Sequence, residues 1–496
     1  MEAKDLVASH QSIFNLKVSG WLLTVCFISL TFIPRSFDHV LFVDGLAYAA
    51  ISRNMALGLG SFWEPYFADS FWLPYNRCAF FCEHPPLMFG MESLLFRLLG
   101  DSLAVENIYN LLVLLASTLL ICLIWRELFR DNVAAKKQAW LPVLMWYGIR
   151  VVWWSVPNNL LDTTMAVFCL WSCYLQLKAL HAPEQKIRLW VAAGLMILLA
   201  CMTKGPVGLF PLAFPVIYVI VYGKAFFKKA ASGLIVTGIT FLILLAALLI
   251  YQPANFFLKN YFEGQVIAAL AQKRERVTSG WTAHLYLVMV LLSNIIPHLL
   301  ILGGLYLFKL FAKINIPAPI NTRKARVLNI LLGIAIILPM LVSVKQGDYY
   351  LMPALPFVGL FFAACCIEPL LLLVGRFGVV PRVLFPATAV LLVGLVAYKL
   401  AHPDFDRNYE VARALRAAVP ERSKVYLTKD VSMEAGIHTA YQRYARLSIA
   451  LDTTETKYLL FEKKGHALLD SLSKTQSYEI LDLGHDATLA IRKERR

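Results

Sequence analysis

The chain reads as a polytopic α-helical membrane protein with a small α/β domain at its carboxyl end. Hydrophobic residues make up 59% of its 496 residues against 16% charged, and its mean hydropathy is +0.62. That is too apolar for a soluble globule of this length. Stretches such as Leu111–Trp125, Gly233–Ile250 and Val383–Tyr398 approach or reach the roughly 17–25 apolar residues that cross a bilayer as helix. After His402 the composition becomes that of an ordinary soluble domain.

Taken in order, the first apolar run, Val18–Ile33, follows Lys4 and Lys17 and has no small-residue cleavage site. It reads as a retained first span with a cytoplasmic amino terminus. A loop of about 70 residues (35–106) follows, longer than a simple connector needs. Helices are then expected over 107–125, 139–155, 158–179, 190–203, 206–222, 232–251, 285–308, 328–344, 350–373 and 382–400, about 11 spans in all. Arg126, Arg130, Lys136 and Lys137, then Lys178, Lys186 and Arg188, then Lys224, Lys228 and Lys229, then Lys313, Arg323, Lys324 and Arg326, and finally Arg376 and Arg382 gather in short loops on one side. This is the positive-inside pattern. It explains the net charge of +15 without a nucleic-acid partner. The loops 35–106 and 252–284 then face outward, and an odd span count leaves the tail outside too.

Seven of the cysteines lie in apolar spans and read as small buried hydrophobes. Cys78 and Cys82 fall in the first outer loop. An oxidising compartment would let them pair. With Glu83, His84 or the distant His284 they also offer donor types suited to a divalent metal, zinc above all, though the spacing matches no strong metal signature. A plain loop is the third reading.

Within that loop, Gly45–Leu59 shows apolar positions at Leu46, Ala49, Ala50, Met55 and Leu57, with Arg53 and Asn54 between them. It reads as an interfacial amphipathic helix capped by Asp44 and ended by Gly58 and Gly60. The second outer loop holds Gln265 and the basic stretch 273–276. In the tail (403–496), strands are expected at Lys424–Thr428, Leu447–Leu451, Lys457–Phe461, Tyr478–Leu483 and Thr488–Ile491, with helices near Ser432–Tyr444 and Ala467–Ser473. The tail has no Gly-rich phosphate loop, metal spacing or nucleophile motif, and no chemistry is assigned to it.

Chemistry is sought where charges survive at the membrane edge. Asp44 suits a helix cap, and equally a carboxylate that takes a proton from an acceptor hydroxyl. Asp162 lies one turn into a span entering from the outer side, where an acid needs a partner or water. Glu83-His84-Pro85-Pro86 is an acidic-basic corner made rigid by proline. Thr203-Lys204-Gly205-Pro206 puts a lysine where two spans meet, and Lys345, Asp348, Tyr349 and Tyr350 stand at a similar junction. These lysines either snorkel to lipid phosphates or cradle one particular phosphate.

Together these motifs resemble one family. An outer-loop Asp heads a helix that runs to Arg53-Asn54. Then come Glu83-x-Pro-Pro-Leu, an Asp early in a later span, Thr-Lys-Gly-Pro, and Tyr350-Leu351-Met352-Pro353-Ala354-Leu355-Pro356. The ordered set, over roughly residues 15–400, is similar to the bacterial branch of the GT-C glycosyltransferases. That branch contains the lipid A aminoarabinose transferase and its protein-mannosyltransferase-like relatives. The resemblance implies a fold of about 11–13 spans. It implies that Asp44 is the catalytic first-loop carboxylate and Asp162 a second acid near the acceptor. It places Glu83 at a metal or structural contact and Lys204 near the lipid phosphate. Where this chain has His84, a lysine that contacts the carrier phosphate commonly stands in the aminoarabinose transferases. The trailing outer domain also suits that type.

The expected function is that of an inner-membrane transferase facing the periplasm. It would move a sugar from a polyprenyl-phosphate carrier to lipid A or another envelope acceptor. Asp44 and Asp162 are its candidate catalytic acids. Lys204, Lys345, Arg53 and His84 are its candidate phosphate-binding groups, and Tyr349, Tyr350 and Gln265 its candidate substrate-binding groups. Glu83 and His284 are the candidate metal ligands. Asp44, Asp162, Lys204 and Lys345 are expected to share one outward-opening cavity. A protein O-mannosyltransferase is the alternative within the same chemistry. A lipid or solute transporter is the alternative outside it, disfavoured because the ionisable residues fall at one membrane edge and no internal repeat is seen.

Overall fold

The computed structural model describes residues 3–37, 41–69, 78–271, 281–311, 321–342, 345–372, 380–402, 406–428, 432–462, 469–470 and 477–493. Asp38, the basic stretch 273–276, Lys313, Arg376 and most of the helix expected at 467–473 lie outside them. The chain forms two compact units. One comprises Met1–Ser36 and Asn110–Tyr398, the other Phe37–Tyr109 and Lys399–Arg496. The sequence reading drew a single boundary near residue 402. The structure instead groups the first outer loop with the carboxyl-terminal domain.

The first unit is helical. Among the described residues, Leu16–Phe37, Ala104–Leu128, Ile187–Lys204, Lys224–Ile250 and Thr282–Phe311 are long and apolar enough to cross a membrane. The pair Arg150–Asn158 and Leu161–His181, bent by 109°, makes a sixth if counted as one span. Pro206–Tyr222, Leu355–Leu371 and Val390–Ala401 are shorter apolar helices. Along Phe227–Ile250 the large side chains Ile235, Ile239, Leu242, Ile243 and Ile250 are exposed. A surface that apolar needs lipid to cover it. The chain is a membrane protein.

Most expected helices have a counterpart within a few residues, and the exceptions have local causes. The run expected over 139–155 is two helices, Trp140–Tyr147 and Arg150–Ser155, broken at Gly148 and Ile149. The helix expected at 206–222 opens as a 3-10 segment, Pro206–Ala213, before Phe214–Tyr222. Pro211 inside that segment has no N–H for an α-helical ladder. The second outer loop opens with an unforeseen helix, Gln252–Tyr261, that continues as a π-type segment, Phe262–Ile267. Packing is tight where small residues meet large ones. A Cβ on Gly233 would lie 2.3 Å from the ring of Trp190, so two neighbouring helices approach through a glycine. Cys26, Cys122, Cys169, Cys173, Cys365 and Cys366 are free and buried, and Cys201 is free and half-buried.

The second unit has a five-stranded sheet of order β2-β1-β3-β5-β4. Its strands are β1 (Lys424–Tyr426), β2 (Ser448–Ala450), β3 (Tyr458–Glu462), β4 (Tyr478–Gly484) and β5 (Ala487–Arg492). β1 pairs parallel with β2 and β3, whereas β5 pairs antiparallel with β3 and β4. All five fall where short β-rich runs were expected. The helix Ala435–Ala440 and its π-type extension Tyr441–Ala445 connect β1 to β2. A further helix, Arg407–Ala418, was not foreseen. Asp406 caps it, its side chain accepting from the N–H groups of Asn408 and Tyr409 at 2.7 and 3.2 Å.

The first-loop helix Val43–Ala56 belongs to this unit and corrects the interfacial reading. Leu46 joins one core with Val411, Leu415, Ile437, Tyr441, Leu447 and Ile449. Gly45, Leu46 and Tyr48–Met55 are all buried. Leu46, Ala49, Ala50 and Met55, meant for lipid, are instead buried within this unit, while Leu57 stays exposed. Cys78 and Cys82 form a disulfide, which selects among the three readings of that pair.

Candidate functional site

Within the helical unit, the sharp bend before Leu161–His181 builds the first half of a site. The 3-10 turn Val156–Asn158 ends at Asn159, whose φ of 55° is left-handed. Asn110 holds this corner, its Nδ2 donating to the Pro157 carbonyl at 3.1 Å. Asp162 then falls in the first turn of the new helix and is only 2% exposed. A carboxylate that deep needs a cation. Lys204 supplies it, its Nζ donating to both Asp162 oxygens. The expected snorkelling to lipid does not occur, because the lysine side chain is 11% exposed and turned to its partner.

The ammonium is also enclosed by aromatic faces. It lies 4.0 Å from the ring centroid of Tyr350 and 5.2 Å from that of Tyr349, a cation–π arrangement. The two rings meet edge to face at 5.1 Å, and Trp154 stacks on Tyr349 at 6.4 Å. Tyr349 and Tyr350 sit on the 3-10 turn Asp348–Leu351, just before the Pro353-to-Pro356 entry into Leu355–Leu372. Four residues singled out separately in the sequence thus converge. Trp154, one of several tryptophans in an apolar run, carried no signal that it would join them.

The same turn is braced from behind. Asp348 accepts from the hydroxyl of Tyr286. The buried Gln346 accepts from the N–H of Leu287 at 3.1 Å. Lys345 is half-buried immediately before Gln346. His284 hydrogen bonds through Nδ1 to the Leu341 carbonyl at 2.7 Å, a helix-end contact. Gln265 is half-buried in the π-type segment, its Oε1 without a hydrogen-bond partner.

Gly205 makes the lysine's position possible. Its φ is +88°, and a Cβ there would fall 1.8 Å from the Tyr261 hydroxyl oxygen, which donates to the Lys204 carbonyl at 3.1 Å. Gly205→Ala is therefore expected to displace Tyr261 and the Lys204 turn together. It should cost more than about 1 kcal/mol from backbone strain alone. Comparing detergent melting temperatures of the two chains checks this, and an unchanged value counts against it.

The second unit carries Asp44, half-buried in the first turn of Val43–Ala56. Phe42 occupies the N-cap with no side-chain cap bond, so the expected capping role of Asp44 is corrected. Arg53 is corrected too. It is 1% exposed, and its N–H groups donate to Asn54 Oδ1, Gln442 O, Gln442 Oε1 and Arg443 O. A guanidinium so enclosed and fully engaged has no donor left for a phosphate. His84 is half-buried between aromatic rings, 5.9 Å from Tyr48 and 6.4 Å from Phe81. Glu83 is half-buried beside the disulfide, which takes both sulfurs out of any ligand set. Among the described residues, no group of three or more His, Cys, Asp or Glu could hold a metal ion, and we derive no step through one.

An ion network lies beside Arg53, and the sequence reading missed it. Arg443, 2% exposed, contacts Glu106 at 2.5 Å and Asp101 at 2.8 Å, and Arg446 reaches Asp101 at 2.9 Å. Glu106, an acid opening an apolar helix, was the available signal. Burial alone would raise the Asp101 carboxyl, but the charges of Arg443 and Arg53 and the Arg446 contact hold it below the ordinary value of 3.8. A carboxyl depressed on folding stabilises above its unfolded pKa and loses that contribution as pH falls through the folded value. The second unit is thus expected to loosen below about pH 4. Limited proteolysis across an acid series checks it, and equal cleavage rates at pH 3 and pH 6 would count against it.

Comparison with known proteins agrees with this architecture. Residues 83–251 match the family model described as dolichyl-phosphate-mannose-protein mannosyltransferase. The undecaprenyl phosphate-alpha-4-amino-4-deoxy-L-arabinose arabinosyl transferase 2 of Proteus mirabilis (strain HI4320) is 25% identical over 295 residues, 58% of this chain and 50% of the relative. The chain thus spans about half the length of the curated relative it matches. The crystal structure of ArnT from Cupriavidus metallidurans bound to undecaprenyl phosphate superposes with a TM-score of 0.63 at 15% identity. The superposition covers 95% of this chain and 97% of that one. The apo structure of the same protein gives 0.63 at 15% identity, covering 95% and 96%. The fold is that of the Cupriavidus metallidurans ArnT structures. In sequence the chain resembles the aminoarabinose transferases and the protein-mannosyltransferase family model, as its motifs implied.

Proposed function

We propose that the chain is a glycosyltransferase of the bacterial inner membrane. It moves one sugar from a polyprenyl phosphate to a periplasmic acceptor, lipid A or another envelope glycan. The observation that carries this is the buried Lys204–Asp162 pair beneath Tyr349 and Tyr350. In the reaction the bond between the anomeric carbon and the carrier phosphate oxygen breaks, and an acceptor oxygen bonds that carbon. The polyprenyl phosphate departs with one more negative charge. A cation held in place beforehand stabilises that charge without reorganising during the reaction. Lys204 is such a cation, positioned by Asp162 and by two ring faces, and Lys345, shortly before the Asp348–Leu351 turn, is a second. Asp44 takes the acceptor hydroxyl's proton. Tyr349, Tyr350 and Gln265 line the substrate, and His84 is a further phosphate contact.

The test is transfer by the purified chain in detergent, with a defined polyprenyl-phosphate sugar and lipid A. Sugar on lipid A supports the reading, and no turnover of any polyprenyl-phosphate donor with any envelope acceptor would sink it. Transfer to a protein hydroxyl instead would favour the O-mannosyltransferase alternative, which the match over residues 83–251 also supports. Orientation is checked by reporter fusions at Lys229, expected in the cytoplasm, and at Arg496, expected in the periplasm. The opposite result at either position refutes the outward-facing site.

A further inference from the structure

The helix that carries Asp44 is anchored by one buried arginine. The Arg53 Nη1 donates to the carbonyls of Gln442 at 2.9 Å and Arg443 at 2.8 Å. Its Nη2 donates to Gln442 Oε1 at 2.8 Å and Asn54 Oδ1 at 2.7 Å. Asn54 in turn donates through Nδ2 to the carbonyls of Tyr66 at 3.1 Å and Phe67 at 2.9 Å. The acceptors from the tail domain lie in the π-type turn Tyr441–Ala445, which ends at Arg446 with φ +56°. Carbonyls at a helix carboxyl end carry partial negative charge and attract a cation; the Gln442 carbonyl accepts from the Arg446 N–H at 3.2 Å as well.

The same turn reaches in the other direction through Arg443. Its Nε meets Glu106, in the first turn of Ala104–Leu128, and its Nη1 meets Asp101. Its Nη2 donates to the Ser102 carbonyl at 3.1 Å, and its guanidinium lies 5.2 Å from the ring of Phe96 in Leu87–Leu99. One short turn of the tail domain thus grips the helix bearing Asp44 and the two helices that follow it. Five hydrogen bonds from the Arg53 guanidinium, the fifth from Nε to Asn54 Oδ1, are far more geometry than burial of an apolar face requires.

We infer that Arg53 and Arg443 are positioning residues for the transfer reaction, and that the tail domain is a working part of the enzyme. It fixes the helix on which Asp44 is mounted, within the tolerance that proton transfer demands. Displacing a reacting group by about 1 Å costs about 10²-fold in rate, so the clamp acts on turnover. The inference rests on the proposed role of Asp44.

The experiment uses the full chain in detergent with the defined lipid-linked sugar. Arg443→Gln and Arg53→Lys are each expected to lower kcat by about 10²-fold, with the donor KM changed by less than about threefold. A lysine fails because one ammonium cannot span Asn54 and two carbonyls as a guanidinium does. Hydrogen exchange across 43–56 should quicken in both variants, while exchange across 187–204 stays as in the unmodified chain. Arg422→Gln, an exposed change on the same domain, should leave all three readouts alone. If Arg443→Gln does not fold, Asp101→Asn weakens the same network more gently and should give a smaller fall in kcat with the same faster exchange. Unmodified kcat in folded variants, or a loss confined to KM, would overturn the inference. Unchanged exchange across 43–56 would overturn it whatever the activity. An unmodified chain that transfers no sugar indicts the proposed function instead.

Discussion

Asp44→Asn is expected to abolish transfer while leaving the chain folded. The substitution is nearly isosteric, and the residue sits half-buried in the first turn of its helix rather than in the core. Were Asp44 only a cap, asparagine would cap almost as well and activity would survive. The N-cap, however, is Phe42, and Asp44 lies inside the first turn rather than at the cap position. An amide cannot accept the acceptor's proton, and losing a general base costs roughly 10²–10⁴-fold. The measurement is the initial rate of sugar transfer in detergent, with folding followed by size-exclusion elution and melting temperature. Full activity would leave Asp44 a structural acid and remove it from the mechanism.

Breaking the Lys204–Asp162 pair is expected to have the largest combined effect on stability and activity. Lys204→Met leaves a carboxylate that is 2% exposed without its cation, and removing one partner of a buried pair costs roughly 3–5 kcal/mol. The double variant Lys204→Met with Asp162→Asn removes both charges and should recover most of that stability. It should recover none of the activity, because the cation proposed to face the departing phosphate is still missing. Melting temperatures of the single and double variants, read beside their transfer rates, separate the two contributions. A double variant that regains both would show that the pair only holds the helices together. A single variant as stable as the unmodified chain would show that the pair is not the buried one described.

Much of the fold was legible because bilayer helices and short strands each follow from a local rule. A run of apolar residues long enough to cross a membrane forms helix since no water is available to its backbone. Leu111–Trp125 and Gly233–Ile250 therefore read directly onto Ala104–Leu128 and Phe227–Ile250. The strands of the tail, such as the runs that became β3 and β5, were visible as short β-rich segments between turns. Breaks were harder. Gly148 carries no signal that separates a tolerated helix glycine from an interruption, and the 3-10 course of Pro206–Ala213 depends on how Pro211 is accommodated.

For the site, residue type and position marked Asp44, Asp162, Lys204, Tyr349 and Tyr350, since an ionisable group at a membrane edge needs a reason to be there. The sequence by itself therefore determined the membrane class, the tail's α/β character and a short set of candidate acids and cations. Which of them pair was decided only by tertiary structure. Lys204 turns inward because the 109° bend before Leu161 brings a buried carboxylate to it, and a bend angle is not written in any local pattern. Arg53 was read as a phosphate ligand and is instead enclosed by carbonyls nearly four hundred residues away in sequence, Gln442 O and Arg443 O. The same apolar stripe packs on lipid or on a protein domain with equal favour, because hydrophobic burial is non-directional. Only the folded chain chooses, and here it placed the tail domain against the helix that bears Asp44.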